Sequence, residues 1–191
     1  MRSVILDHIK TYTAGFHESL EVKLGAVLFK PNLLPSEYHQ LIAKFYYAYS
    51  QLEHSINAVQ EIRLLLNDRT KIPLLKKDLS YMESITGMKL SDSDLYELAA
   101  AENYGIALGM LYVMEGATLG GKYIVGGLRK LDWMVWEECL NFFNSYGDQR
   151  GVMWKKFTNY VMQYAEDNPR EHQQILKGAR VAFGYMNIVF D

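Results

Sequence analysis

Cysteine is nearly absent from this chain: Cys139 is the single one in 191 residues. A disulfide framework and a cysteine-rich metal site are therefore both excluded within one chain, and the usage fits a reducing compartment. A surplus of one charge is missing as well. Lys and Arg total 20 against 22 Asp and Glu, a net charge of -2, which argues against nucleic acid as a main partner because phosphate binding needs a basic excess. No stretch reaches about 18 uninterrupted apolar residues, so no membrane span is expected. The opening "MRSVILDHIK" lacks the apolar core and small-residue cleavage site of a secretory signal, and a cytoplasmic protein is expected. The four prolines, Pro31, Pro35, Pro73 and Pro169, leave long uninterrupted segments, and no run sustains the alternation of a strand. Repeats, linkers and low-complexity segments are also lacking.

What is present is helical periodicity and enough apolar content, 49% hydrophobic and 13% aromatic, to build one core. Ile5, Ile9, Phe16, Leu20, Leu24 and Val27 recur at helical spacing and predict a helix from about Val4 to Phe29. "KPNLLPSE" breaks it, and Ser36 with Glu37 in the first turn predicts the cap of a second helix. A short third segment lies near Val59 to Leu66, and Pro73 sits near the start of the next. "GMKLSDSD" reads as a loop before one long helix, "DSDLYELAAAENYGIALGMLYVMEG". "LRKLDWMVWEECLNFF", "VMWKKFTNYVMQYAED" and "PREHQQILKGARVAFGYMNIVF" read as the remaining helices. "GAVLF" and "YIVGG" are locally ambiguous. The expectation is an all-α fold, a single compact domain of about eight helices over residues 1–191.

The five histidines form no HExxH motif and no Cys/His cluster, which disfavours zinc. None has a glutamate three residues before it, which disfavours a ferritin-like di-iron bundle. His17 differs in its setting, "TAGFHESLE". Glu21 lies four residues on, on the same helical face, where a carboxylate can accept the Nδ1 proton and leave Nε2 for a metal. A surface His–Glu pair gives the same spacing. Haem iron needs only one protein ligand, so a lone histidine suits haem better than zinc.

"YVMEGATLGGKYI" places Gly116, Gly120 and Gly121 in a helix-compatible stretch, where each interior glycine costs roughly 1 kcal/mol relative to alanine. Gly116 and Gly120 share a face. Tight helix packing explains such glycines, and Gly105 and Gly109 upstream are assigned to it. Spacing alone favours packing; a flat ligand lying on the helix backbone is the competing explanation. A phosphate loop does not explain them, because no GxGxxG or GxxxxGK[ST] pattern is present. Gly121 is expected to add a kink. Lys10, seven residues before His17, and Lys155 would meet carboxylates at one edge of such a ligand; as isolated features they read as solvated charges.

Together these pieces resemble the haem oxygenases, most closely the bacterial biliverdin-producing branch, over most of the chain. "YTAGFHESLE" looks like the family's proximal helix and "LYVMEGATLGGKYI" like its kinked distal helix; the two stand about 100 residues apart. "IPLLKKDL" and "GARVAFGYMNIVF" fit later parts of the pattern. The resemblance implies that haem lies between the two helices, with His17 as iron ligand and Glu21 orienting it. Lys10, Thr13, Gly116, Gly120, Gly121, Lys155 and Phe183 would complete the haem site. Gly116, Ala117, Thr118 and Gly120 would form the catalytic face.

The implied reaction opens the porphyrin ring with O₂ and supplied electrons, giving biliverdin, CO and ferrous iron. Its implied partners are an electron donor, such as a ferredoxin or a flavoprotein reductase, and a bilin-accepting phytochrome. A monomer is implied. Ala117 departs from the family, many of whose members carry a polar residue after the first distal glycine; Thr118 is the candidate to replace it in ordering water. Asn159 stands where some relatives have a propionate-binding arginine, with Arg180 as a candidate replacement. The alternatives are a haem sensor or carrier without ring opening and, further off, a haem-free enzyme or binding module on a similar scaffold.

Overall fold

The structure is a computed structural model that describes residues 4–90 and 97–191. Its helices are α1 (Val4–Leu28), α2 (Pro35–Asn57), α3 (Arg63–Asn67), α4 (Ile72–Thr86), α5 (Tyr104–Ala117), α6 (Gly121–Leu128), α7 (Trp136–Cys139), α8 (Arg150–Asp167) and α9 (His172–Val189). Short 3₁₀ turns join several of them, and no strand occurs among the described residues. The all-α expectation holds: "GAVLF" is helical up to Leu28 and "YIVGG" throughout. No helix among the described residues is long and apolar enough to cross a membrane.

The centre of the fold is α5. Every residue from Gly105 to Glu115 is buried, as expected of a helix apolar on all sides. It packs most extensively on α9, and α9 packs in turn on α1. The α5–α9 crossing is made at backbone contact. A Cβ on Gly109 would stand 2.0 Å from the Ile175 carbonyl oxygen, and one on Gly178 would stand 2.0 Å from that of Ile106. A Cβ on Gly105 would stand 2.5 Å from the Glu171 carboxylate and 2.7 Å from the Gln174 Cβ, so the packing role read for Gly105 and Gly109 is what the fold uses.

Three local expectations are corrected. Ser36 is not the cap of α2: the helix begins at Pro35, and Glu37 reaches back to accept the Leu34 N–H at 2.9 Å. The long helix expected before the glycine stretch begins only at Tyr104, where Asn103 caps it by accepting the Ile106 N–H. Upstream, Leu98 donates to Gln51, Ala101 donates to Ser55, and the Ser55 hydroxyl donates to Ala99. Those bonds to α2 take the place of a helix ladder. Residues 91–96, which carry the rest of that expected loop and helix start, lie outside the described residues.

The segment "LRKLDWMVWEECLNFF" holds only the four-residue α7. Asp78 accepts the backbone N–H groups of Asn141 and Phe142 at 2.8 and 2.9 Å, and Trp133 donates to the Leu33 carbonyl. Burial pushes the Asp78 carboxyl up to about 6, against the pull of those donors. Tertiary partners override helix propensity here.

Candidate functional site: an apolar slot between the first helix and the glycine stretch

A cavity of about 750 Å³ opens between α1 and the α5–α6 junction, within the range of small-molecule sites. One face of α1 forms its first wall, with Lys10, Thr13, His17, Glu21, Leu24 and Leu28 at helical spacing. The facing wall is Tyr112, Val113, Gly116, Ala117 and Gly120. Tyr49, Phe143, Trp154 and Phe183 close the inner end from four other elements, and Phe29 and Tyr123 meet edge to face at 5.5 Å across the outer end.

His17 is partly exposed at the slot. Glu21 Oε2 lies 3.5 Å from His17 Nδ1, and the imidazole meets the Phe183 ring edge-on at 5.4 Å. The i,i+4 spacing read in the sequence thus puts the carboxylate beside Nδ1, as in metal-ligating histidines. Nearby, the Asn187 amide donates to the carbonyls of Phe16 and Phe183 at 2.9 Å each. The bond to Phe16 ties α9 to α1 beside the imidazole. Among the described residues no group of three or more His, Cys, Asp or Glu side chains could hold a metal.

The opposite wall bends where α5 gives way to a 3₁₀ turn at Thr118–Gly120 before α6 begins. The glycines here all have right-handed helical geometry at the bend, so the kink comes from the 3₁₀ turn and needs no left-handed backbone. Their roles divide. A Cβ on Gly116 would touch only the Trp154 ring at 3.6 Å, and one on Gly120 only Ile124 at 3.9 Å; both neighbours line the cavity. Gly121 is different. It does not line the cavity, and a Cβ there would stand 2.0 Å from the Phe143 carbonyl oxygen. Its expected contact with a ligand is replaced by a packing role, and it seats α6 on the 140s segment.

Other predicted residues also fall elsewhere. Thr118 is buried behind the wall, and its hydroxyl donates to the Glu115 carbonyl at 2.7 Å, so it does not face the slot that Ala117 lines. Lys155 and Asn159 are exposed outside the cavity lining; α8 presents Trp154 to the slot, and the next residue turns about a quarter of the way round the helix. Arg180 lies over the rings of Tyr12 and Phe16 and also stays outside the lining. Of the predicted basic residues, only Lys10 lines the slot. Thr13 reaches it, although its hydroxyl is taken by the Ile9 carbonyl at 2.8 Å.

Of the aromatic inner end, sequence reasoning named Phe183 and missed Tyr49, Phe143 and Trp154, which come from distant segments with no shared spacing. It also missed a buried ionic cluster behind the glycine wall, although Glu115 is the one charged residue in an otherwise uncharged helix and such a group needs partners.

Comparison with known proteins agrees with the geometry. The family model described as heme oxygenase matches residues 4–191. Among solved structures, the NO- and CO-bound heme oxygenase from Neisseria meningitidis superposes with a TM-score of 0.76 at 20% identity, covering 97% of this chain and 89% of that one. No curated protein sequence matches the chain. At that identity the structural likeness speaks for the fold, whereas the sequence match spans nearly every residue: the chain belongs to the heme oxygenase family, whose members take haem as substrate and prosthetic group.

Proposed function

We propose that the protein binds haem in the α1–α5 slot, with His17 as iron ligand, and cleaves the porphyrin to biliverdin, CO and ferrous iron. The observation that carries this reading is His17 beside Glu21, facing a glycine-lined wall across an apolar slot. Bound haem supplies the iron at which O₂ is reduced by electrons from an external donor. The chain's own residues do the rest.

Glu21 orients the His17 ring and makes it a better donor. Gly116 and Gly120 let backbone rather than side chain form the wall over the ligand, so that only a small molecule fits there. Phe183 and Trp154 fill the inner end and exclude water from it. Lys10 is placed to meet a carboxylate edge of the macrocycle. Ala117 offers no hydrogen bond, so protons come through water held by backbone carbonyls or by another side chain of the lining. Ferredoxin or a flavoprotein reductase would supply electrons in the cytoplasm, and a bilin-accepting phytochrome would take the product.

Two features support the second reading, a haem sensor or carrier: Ala117 lines the slot, and Thr118 turns away from it. One experiment separates the two readings. Hemin is added to the purified protein, followed by ascorbate or a ferredoxin–reductase couple in air. Loss of the Soret band with growth of a red-absorbing bilin band and release of CO is the expected result. A Soret band that persists through reduction in air favours the carrier, and no Soret band at all sinks both.

A further inference from the structure

Behind the glycine wall, on the side of α5 away from the slot, Glu115 is buried with 1% exposure. Its Oε2 accepts from Arg69 Nη1, and its Oε1 accepts from Lys71 Nζ and the Tyr146 hydroxyl, each at 2.8 Å. Arg69 and Lys71 are themselves 3% and 1% exposed. Three separate elements therefore converge on one carboxylate: the α3–α4 connection, α5, and the 140s segment. Each is fixed in turn. Glu53 of α2 accepts the Lys71 N–H at 2.6 Å and the Thr70 hydroxyl. Tyr146 holds a positive φ of 66°, which a bulky residue adopts only when its surroundings enforce it. Lys71 also donates to the Tyr146 hydroxyl at 2.9 Å, which orients that hydroxyl to donate to Glu115.

The position of Glu115 gives the cluster its consequence. It immediately precedes Gly116, and Ala117 follows, so the carboxylate is anchored one residue from the backbone that walls the slot. The same cluster holds Tyr146 close in sequence to Phe142 and Phe143, which line the slot. On the slot side the Tyr49 hydroxyl donates to the Met114 carbonyl at 3.4 Å, while Gly116, Ala117 and Gly120 themselves have no polar side chain to anchor.

We propose that Glu115 is a positioning residue that fixes the Gly116–Gly120 backbone from behind, and thereby sets the clearance above the bound haem in this protein. Its contact with haem is indirect, and the second half of the statement rests on the haem reading above. The first half does not depend on haem.

The test uses Glu115→Gln, which keeps the shape and removes the charge, and Tyr146→Phe, which removes that hydroxyl's bonds to Glu115 and Lys71 and leaves both cations in place. Amide hydrogen exchange of the protein without haem should accelerate about tenfold over residues 112–121 in Glu115→Gln, while α9 outside its α5 contact stays within about twofold of the parent. The hemin-loaded variant, reduced under CO, should show a shifted or broadened C–O stretch with the Soret position retained. Tyr146→Phe should show the same two changes, smaller, and it serves as the test if Glu115→Gln does not fold. Unchanged exchange over 112–121 overturns the proposal. So does acceleration shared equally by α9, which would make the cluster a general stability element. If the parent shows no Soret band with hemin, the haem reading falls while the exchange result still decides the positioning role.

Discussion

Gly109 and Gly116 lie two turns apart on the same helix, yet a Cβ added to each would meet different surroundings. At Gly109 it would stand 2.0 Å from the Ile175 carbonyl and 2.8 Å from the Ala179 nitrogen, both backbone atoms that cannot move aside. At Gly116 it would meet only the edge of the Trp154 ring at ordinary contact distance. The first half of α5 uses glycine to let two helices touch. The second half uses it to leave room for something else. Gly121, one turn beyond, returns to the first use against the Phe143 carbonyl. The same residue type in "YVMEGATLGGKYI" thus does two unlike things within six positions.

That contrast can be broken by single substitutions. Gly109→Ala should cost about 3 kcal/mol or more in chemical denaturation, at or beyond the upper end of overpacking penalties because the obstacle is backbone. Gly178→Ala should resemble it. Gly121→Ala should cost about 1–3 kcal/mol, and because Phe143 lines the slot it should also weaken hemin binding, measured by Soret titration. Gly116→Ala should leave stability unchanged or raise it by up to about 1 kcal/mol through helix propensity. Its effect should appear in the loaded protein instead, as slower turnover and altered CO binding. If Gly116→Ala destabilises the haem-free protein as Gly109→Ala does, the division drawn here is wrong.

Helices that stand on their own periodicity, α1 above all, were legible in the sequence, and so was the His17–Glu21 pair. The glycine face was legible as a choice between packing and a ligand, and the spacing Gly116/Gly120 did name the two that line the slot. Gly121 was not separable from them, since its reason is a carbonyl 22 residues downstream in the chain. Lys155 stands outside the lining for a similar cause: the sequence shows a lysine near a helix start but not which way α8 is rotated, and the rotation gives Trp154 to the slot. The segments around 97–103 and 129–143 looked helical because their local composition allows it, but hydrogen bonds to Ser55, Gln51 and Asp78 claim their backbone. The buried cluster at Glu115 had a visible signal, a lone carboxylate in a buried helix; its partners at 69, 71 and 146 had none.

The most direct test of the account is hemin titration into the parent protein and His17→Ala, with and without added imidazole. His17 is exposed at its wall, so the substitution should change stability by no more than about 0.5 kcal/mol. The account predicts a one-to-one Soret complex in the parent, a weaker complex with an altered spectrum in the variant, and recovery of the parent's spectrum when imidazole fills the space left by the ring. A His17→Ala protein that binds hemin with the parent's affinity and spectrum would contradict it.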